Sequence, residues 1–212
     1  MTSMAALRKR AERKFTVPEA AAILEQPPKQ ISNALTRELR PLRLGSSGRG
    51  ARRITGHGLV ALELLRVFAD WFSPRLRRLV ISEALKPSSG GSVRIERGRV
   101  VVNIAEHRQR VNRGKSRLEE AEALIARRPE VLGGEPCVKG TRIPAYLVGA
   151  LARKHGALEA HATYPTLTRQ TIELVALYVE ANPRKGRPRQ AELSKPKKAA
   201  KRGKAKKAKL VE

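Results

Sequence analysis

The sequence predicts a mainly α-helical protein with two short β-hairpins and disordered basic ends, and three observations carry that prediction. Aromatic residues are only 3% and hydrophobic residues 41% of the 212-residue chain, so small helical modules fit better than one large sandwich or barrel. Apolar residues recur at helical spacing behind recognisable caps at Thr16, Thr55, Ser116 and Thr168 and behind a Ser73-Pro74 helix start. Two pairs of short strand-like pieces flank glycine-containing turns. A chain of this length holds one medium domain or two small ones.

The elements follow in order. Residues 1–14 carry Arg8, Lys9, Arg10, Arg13 and Lys14 and read as a basic arm. Thr16-Val-Pro-Glu19 is a capping box, in which Thr16 accepts from the Glu19 amide while Glu19 reaches back. It opens a short helix from Val17 to Glu25, with Ala20, Ala21, Ile23 and Leu24 available for burial. Gln26-Pro-Pro28 breaks that helix, and a second runs from Pro28 to Leu39. Its faces divide cleanly: Ile31, Ala34, Leu35 and Leu39 on one side, Lys29, Gln30, Asn33, Thr36, Arg37 and Arg40 on the other. Leu42–Leu44 and Arg52–Ile54 flank a Gly/Ser tip and suggest a hairpin wing. Thr55 caps a longer apolar helix through Leu59, Leu62, Leu65, Val67 and Phe68 to Trp71. Ser73-Pro74 starts another through Leu76, Leu79, Val80 and Leu85, since proline is favoured just inside a helix start. Residues 15–85 thus have the order of a winged helix-turn-helix DNA-binding domain.

Lys86 to Ser92 reads as a linker. Residues 93–128 then form a hairpin with a helix: Val93–Glu96 and Arg99–Ile104 lie either side of Arg97-Gly98, and Ser116-Arg-Leu-Glu119 caps a helix to about Arg127. A lone hairpin is marginally stable, so this one is expected to dock on a helix or pair with a second copy. Residues 129–182 form a small three-helix domain, itself helix-turn-helix-like. Pro144 starts a helix with Leu147, Val148 and Leu151 inward that ends at Gly156, and Leu158 to Thr163 forms a short one. Thr168 caps a third helix bearing Ile172, Val175, Ala176 and Val179, which Asn182-Pro183 stops. Residues 183–212 carry thirteen Lys/Arg against Glu192 and Glu212 and read as a disordered tail.

Charge and chemistry narrow the function. A formal net charge of +26 repels itself unless an anionic partner absorbs it. Nucleic acid is the favoured partner, because neutralised phosphates release counterions, with an acidic protein surface second and a membrane surface third. The single Cys137 can form neither an intramolecular disulfide nor a thiolate cluster, which fits a reducing cytoplasm, and its neighbours Pro136 and Val138 favour burial. No apolar run approaches the roughly 20 residues of a membrane span. His57, His107, His155 and His161 are scattered without ligand spacing, and Asp70 is the one aspartate. Neither a metal site, a cofactor site nor a catalytic constellation is expected, so the protein is not expected to be an enzyme. Lys139-Gly140-Thr141 has the wrong order for a phosphate loop. Glycines 133, 134 and 140 read instead as tight turns ahead of a helix, with Arg142 exposed and Ile143 anchored in the core.

Two resemblances add to this. The run Leu132-Gly-Gly-Glu-Pro-Cys-Val-Lys-Gly-Thr-Arg-Ile-Pro144, followed by a helix and by Tyr164-Pro-Thr-Leu-Thr168, resembles the small helical domain of unknown function 433. That family is associated with VapB-type antitoxins, the partners of PIN-domain ribonuclease toxins. The threonine-capped start, helix pair and wing resemble the N-terminal winged-helix modules of MerR-like regulators. Together the resemblances imply a cytoplasmic antitoxin of a type II toxin–antitoxin system that binds its own promoter as a homodimer and neutralises a PIN-domain ribonuclease. The alternatives are a stand-alone DNA-binding regulator or nucleoid-type basic protein, and an RNA-binding module, which the scarcity of aromatics disfavours.

The expected contacts follow residue by residue. Gln30 and Asn33 suit bidentate contact to adenine and Arg37 to guanine, with Lys29 and Arg40 beside them. Arg49, Arg52 and Arg53 of the wing suit phosphate or a narrow minor groove. The antitoxin resemblance implies that Arg142, Arg184, Arg187, Arg189 and Leu193 reach a toxin's acidic pocket. The tail divides evenly between that role and sequence-independent phosphate binding.

Overall fold

The computed structural model describes residues 13–39, 45–46, 52–86 and 90–184. It is mainly helical, with seven α-helices and three two-stranded antiparallel ladders among the described residues. Helix α1 (Val17–Leu24) begins with the expected capping box: the Glu19 amide donates to Thr16 Oγ1 at 3.3 Å and the Thr16 amide to Glu19 Oε2 at 2.6 Å. Glu25 turns left-handed to close it, and Pro27 and Pro28 open α2 (Pro28–Arg37). Strands β1 (Gly45–Ser46) and β2 (Arg53–Ile54) pair next. The expected strand Leu42–Leu44 lies outside the described residues. Ile54 also exchanges two backbone hydrogen bonds of 2.7 Å with Phe15, which ties the wing to the segment before α1.

Helix α3 (Gly56–Val67) starts at Thr55, whose hydroxyl accepts from the Gly58 amide at 3.1 Å. It stops before Trp71, against the sequence expectation, because Ser73 and Pro74 initiate α4 (Pro74–Ala84) and proline keeps its predecessor out of the helical region. Phe72 folds back so that its ring stacks on Phe68 at 5.0 Å, and Trp71 is left 82% exposed. The second hairpin, β3 (Ser92–Ile95) with β4 (Val100–Asn103), alternates as a half-buried ribbon should: Val93, Ile95 and Val102 face inward against Val80, Ile81 and Ala84 of α4. The expectation that it docks on a helix is met.

Helix α5 corrects the sequence reading. Ser116 does not cap a helix; it lies inside one that runs from Ala105 to Ala123. The start is set upstream, where the Ala105 amide donates to Asn103 Oδ1 at 3.0 Å and to the Gly91 carbonyl at 3.0 Å. Between those points the apolar stripe is thin, with Val111, Leu118 and Ala121 buried, and the intervening polar residues hide its continuity. At about 1.5 Å per residue the helix is long enough to join two cores. Val111 and Leu118 belong to the first and Ala121 to the second.

The second core is built on β5 (Ile125–Ala126), β6 (Cys137–Val138), α6 (Ala145–Thr163) and α7 (Arg169–Ala181). Gly156 breaks α6 with φ +85°, as expected, and Thr168 caps α7 by accepting from the Thr171 amide at 3.1 Å. Cys137 is buried, in line with its apolar neighbours. Helix α1 sits where the cores meet. Its residues Ala20 to Leu24 are all buried, and α2, α3, α5 and α7 pack around it. A helix apolar on every side is one surrounded by protein. No helix among the described residues is long and apolar enough to cross a membrane.

Candidate nucleic-acid interface

The second helix of the pair presents the face that the sequence divides. Ile31 is fully buried, with Ala34 and Leu35 half-buried behind it, while Lys29, Gln30, Asn33 and Arg37 are exposed. Lys29, Asn33 and Arg37 follow at intervals of four, so they form one line along the helix. Among the described residues Lys29 and Arg37 take part in no ion pair and none of the three makes a side-chain hydrogen bond, so their donors remain open to a partner. Arg40 and Arg49 lie outside the described residues.

The described base of the wing is tied to this helix by a side-chain hydrogen bond. Arg52 Nη1 donates to Thr36 Oγ1 at 2.7 Å, and Thr36 in turn donates to the Ser32 carbonyl at 2.8 Å. Arg52 is therefore engaged with α2, and Arg53 is the wing arginine left exposed without an ion pair among the described residues. Strand alternation sets the difference, since Ile54 turns into the core where Arg53 turns out. At the far end of α2, Glu38 accepts a pairing from Arg77 of α4 at 3.6 Å.

Arg13, expected in a frayed arm, is tied down. It forms a two-point pair with Glu122 of α5 at 2.6 and 2.9 Å, meets Glu19 at 3.2 Å and lies 5.1 Å from the Phe15 ring centroid. Hydrogen bonding to Glu122, more than that to Glu19, holds its pKa above the ordinary arginine value. A second ionic set centres on Glu63 of α3, a carboxylate with no exposed surface that the sequence reading does not single out. Arg66 holds it at 2.7 and 3.1 Å and Arg110 approaches to 3.6 Å; Arg110 and Arg117 both reach Glu25 at the end of α1. A charged group alone in the apolar run Leu59 to Leu65 is the signal that points to it.

The residues expected to meet a toxin fare unevenly. Arg142 is exposed, and Arg187, Arg189 and Leu193 lie outside the described residues. Arg184 is occupied within the fold, paired with Glu135 and stacked 4.4 Å over the Tyr146 ring. The run that includes Glu135 is a turn, as its glycines imply. Leu132, Gly133 and Gly134 all have positive φ, and Thr141 locks the following loop by donating to the Val138 carbonyl at 2.9 Å and accepting from the Ile143 amide at 3.1 Å. His161 Nδ1 donates to the Leu167 carbonyl at 2.7 Å. An open groove between α1 and α6–α7 has Ala21, Ala22 and Ala176 among its lining residues. Glu173 and Glu180 oppose Arg153 and Lys154 there, so neither sign of charge dominates.

The family match falls on this second half. The model of a family described as a protein of unknown function (DUF433) matches residues 125–179. The match begins at β5, four residues before the sequence-based boundary, and β5 is the strand that pairs with Cys137–Val138 inside the glycine run. The uncharacterized protein y4eO of Sinorhizobium fredii (strain NBRC 101917 / NGR234) is 40% identical over 73 residues, which cover 34% of this chain and 33% of that protein. The chain thus matches about a third of the relative's length. No solved structure matches the chain.

Proposed function

We propose that this protein is a DNA-binding regulator of its own promoter and the antitoxin of a PIN-domain ribonuclease. The DNA half has the stronger physical support. The observation that carries it is the line Lys29, Asn33 and Arg37 on the open face of α2, with Gln30 beside it and Arg52, at the base of the wing, bonded to the same helix. A recognition helix needs donors that its own protein does not consume, and a fixed wing to set its register on the backbone. The surrounding charge agrees: residues 13–86 hold fourteen Lys/Arg against six Asp/Glu. Two-fold operators are matched by two-fold proteins, so the bound form is a homodimer.

The antitoxin half rests on the second unit and the tail beyond it, and one observation favours a second reading. Arg184 spends its guanidinium on Glu135 and Tyr146, which removes it from the set available to a toxin's carboxylates. A stand-alone regulator requires no such set. Co-expression with the product of the adjacent gene separates the two: relief of growth arrest supports the antitoxin, and absence of rescue leaves the regulator. For DNA, Arg37→Ala costs about 1–3 kcal/mol of binding to the promoter fragment with little change on random duplex. An equal loss on both duplexes makes Arg37 a phosphate contact only.

A further inference from the structure

We infer that the β3–β4 hairpin is a second DNA-contacting element, a ribbon whose outer face and tip grip the phosphate backbone of the duplex that α2 binds. The inference rests on the DNA-binding reading above and extends it to a segment assigned no role there. Alternation gives the ribbon two unlike faces. Val93, Ile95 and Val102 are buried against α4, while Arg94, Val101 and Asn103 are exposed on the other side, with Arg94 directly opposite Val101 in the ladder. Arg97 and Arg99 are exposed at the turn. None of these three guanidiniums joins an ion pair among the described residues, so each is open to a phosphate.

The turn carries an independent sign. Arg97 has φ +56° and ψ +33°, followed by Gly98 at φ +87°. A left-handed residue with a long side chain is uncommon where glycine or asparagine would sit at less cost. Strain retained at an exposed tip points to a use for that side chain. Nor is the ribbon a loose appendage. Arg108 of α5 donates to the Ala84 carbonyl at the end of α4 and to the Gly90 carbonyl just before β3, each at 2.7 Å. Helix α4 thus shares a core with β3 and pairs with Glu38 at the end of α2 through Arg77. Arg75 and Arg78 of this connecting helix are also exposed. Two-stranded ribbons fit a DNA groove as well as a helix does, and guanidiniums at exposed tips suit phosphate oxygens.

The full-length chain is titrated with a fluorescent mixed-sequence DNA duplex and with a duplex of its own upstream region, across a salt series. Arg97→Gly is expected to keep or raise the thermal midpoint, because the strain goes, while weakening binding to both duplexes. Arg97→Asn is expected to behave alike. Removing one neutralised phosphate makes the slope of log K against log salt shallower by about 0.9, so the triple variant Arg94→Ala, Arg97→Gly, Arg99→Ala shows a correspondingly larger change. A control removing the same charge from the exposed Arg128, Arg153 and Lys154 leaves the slope unchanged. Wild-type binding with an unaltered slope in the hairpin variant overturns the inference and leaves the role of α2 standing, as does an equal loss in the control. Tighter binding of a duplex RNA of the same sequence also overturns it. A wild-type chain that binds neither DNA duplex refutes the underlying reading, and the hairpin's role with it.

Discussion

The two halves of the molecule hold themselves together by different means. The N-terminal half, rich in arginine, uses carboxylates as pins: Glu63 buried between Arg66 and Arg110, Glu25 at the end of α1 between Arg110 and Arg117, and Glu122 gripping Arg13. The half that contains the DUF433 match has eight Lys/Arg against five Asp/Glu in residues 125–184, with one ion pair, Arg184–Glu135, among its described residues, and it packs its two helices closely. There Gly149 of α6 lies so near α7 that an added Cβ would stand 2.8 Å from Val179 Cγ2. The difference teaches that most of the carboxylate pins lie outside the family match. Guanidiniums left over after the pins are satisfied, on α2, the wing and the β3–β4 ribbon, are among those available to a partner.

The largest test of this contrast is Glu63→Gln. Removing one member of a buried ionic set leaves the others uncompensated, at a cost of about 3–5 kcal/mol. Partial exposure of Arg66 and Arg110 at 39% and 48% places the expected loss at the lower end, about 3 kcal/mol. Urea denaturation measures it. A loss below about 1 kcal/mol would mean that the N-terminal half is held by its apolar core and that the pins are incidental.

Two glycines sharpen the comparison from the packing side. Gly114 on α5 faces the backbone of α1, where a Cβ would sit 2.3 Å from the Ile23 carbonyl oxygen. Backbone cannot step aside as a side chain can, so Gly114→Ala is expected to cost about 3 kcal/mol, the upper end for overpacking. Gly149→Ala meets the Val179 side chain first, stiff but removable, and is expected to cost about 2 kcal/mol. Adding Val179→Ala should recover part of the Gly149→Ala loss, because the cavity left by valine receives the new methyl, and should recover none of the Gly114→Ala loss. Equal rescue of both would show that the two sites are coupled through the whole molecule and that the two halves are not separate packing units.

These same residues mark how far the sequence can be read. Local signals are legible because their physics is local. The Thr16 capping box, the Thr55 and Thr168 caps, the Ser73-Pro74 helix start, the Gly156 break and the turn at Arg97-Gly98 each depend on a few neighbouring residues and each occurs where expected. Features set by tertiary contact are not. Ser116 and Glu119 have the spacing of a cap, yet α5 runs through them, because its buried stripe is completed by α1, α3 and α7 and not by its own sequence. Gly114 and Gly149 are ordinary helix weak points until the neighbouring helix is present to require them. The exposed face of α2 is readable from its polarity, but the engagement of Arg52 with Thr36 and of Arg184 with Glu135 is not, since each joins elements whose approach no local pattern encodes.

The smallest expected effect is at Arg13. Its pair with Glu122 closes the N-terminal segment onto the end of α5, the helix that spans both cores, so it is the pin nearest the second half. Both side chains are about a third exposed, 37% and 32%, and solvent screening limits the pair to about 1 kcal/mol or less. A double-mutant cycle of Arg13→Ala and Glu122→Ala isolates it, because the Arg13→Ala change alone also loses Glu19 and the Phe15 ring. Salt gives the sign. Screening relieves the repulsion of a +26 chain and raises overall stability, while the coupling energy of this one pair falls. A coupling energy that stays constant as salt rises would mean that Arg13 packs as an apolar stem against Phe15, and the N-terminal half would then share the packing logic of its neighbour at the place where the two halves meet.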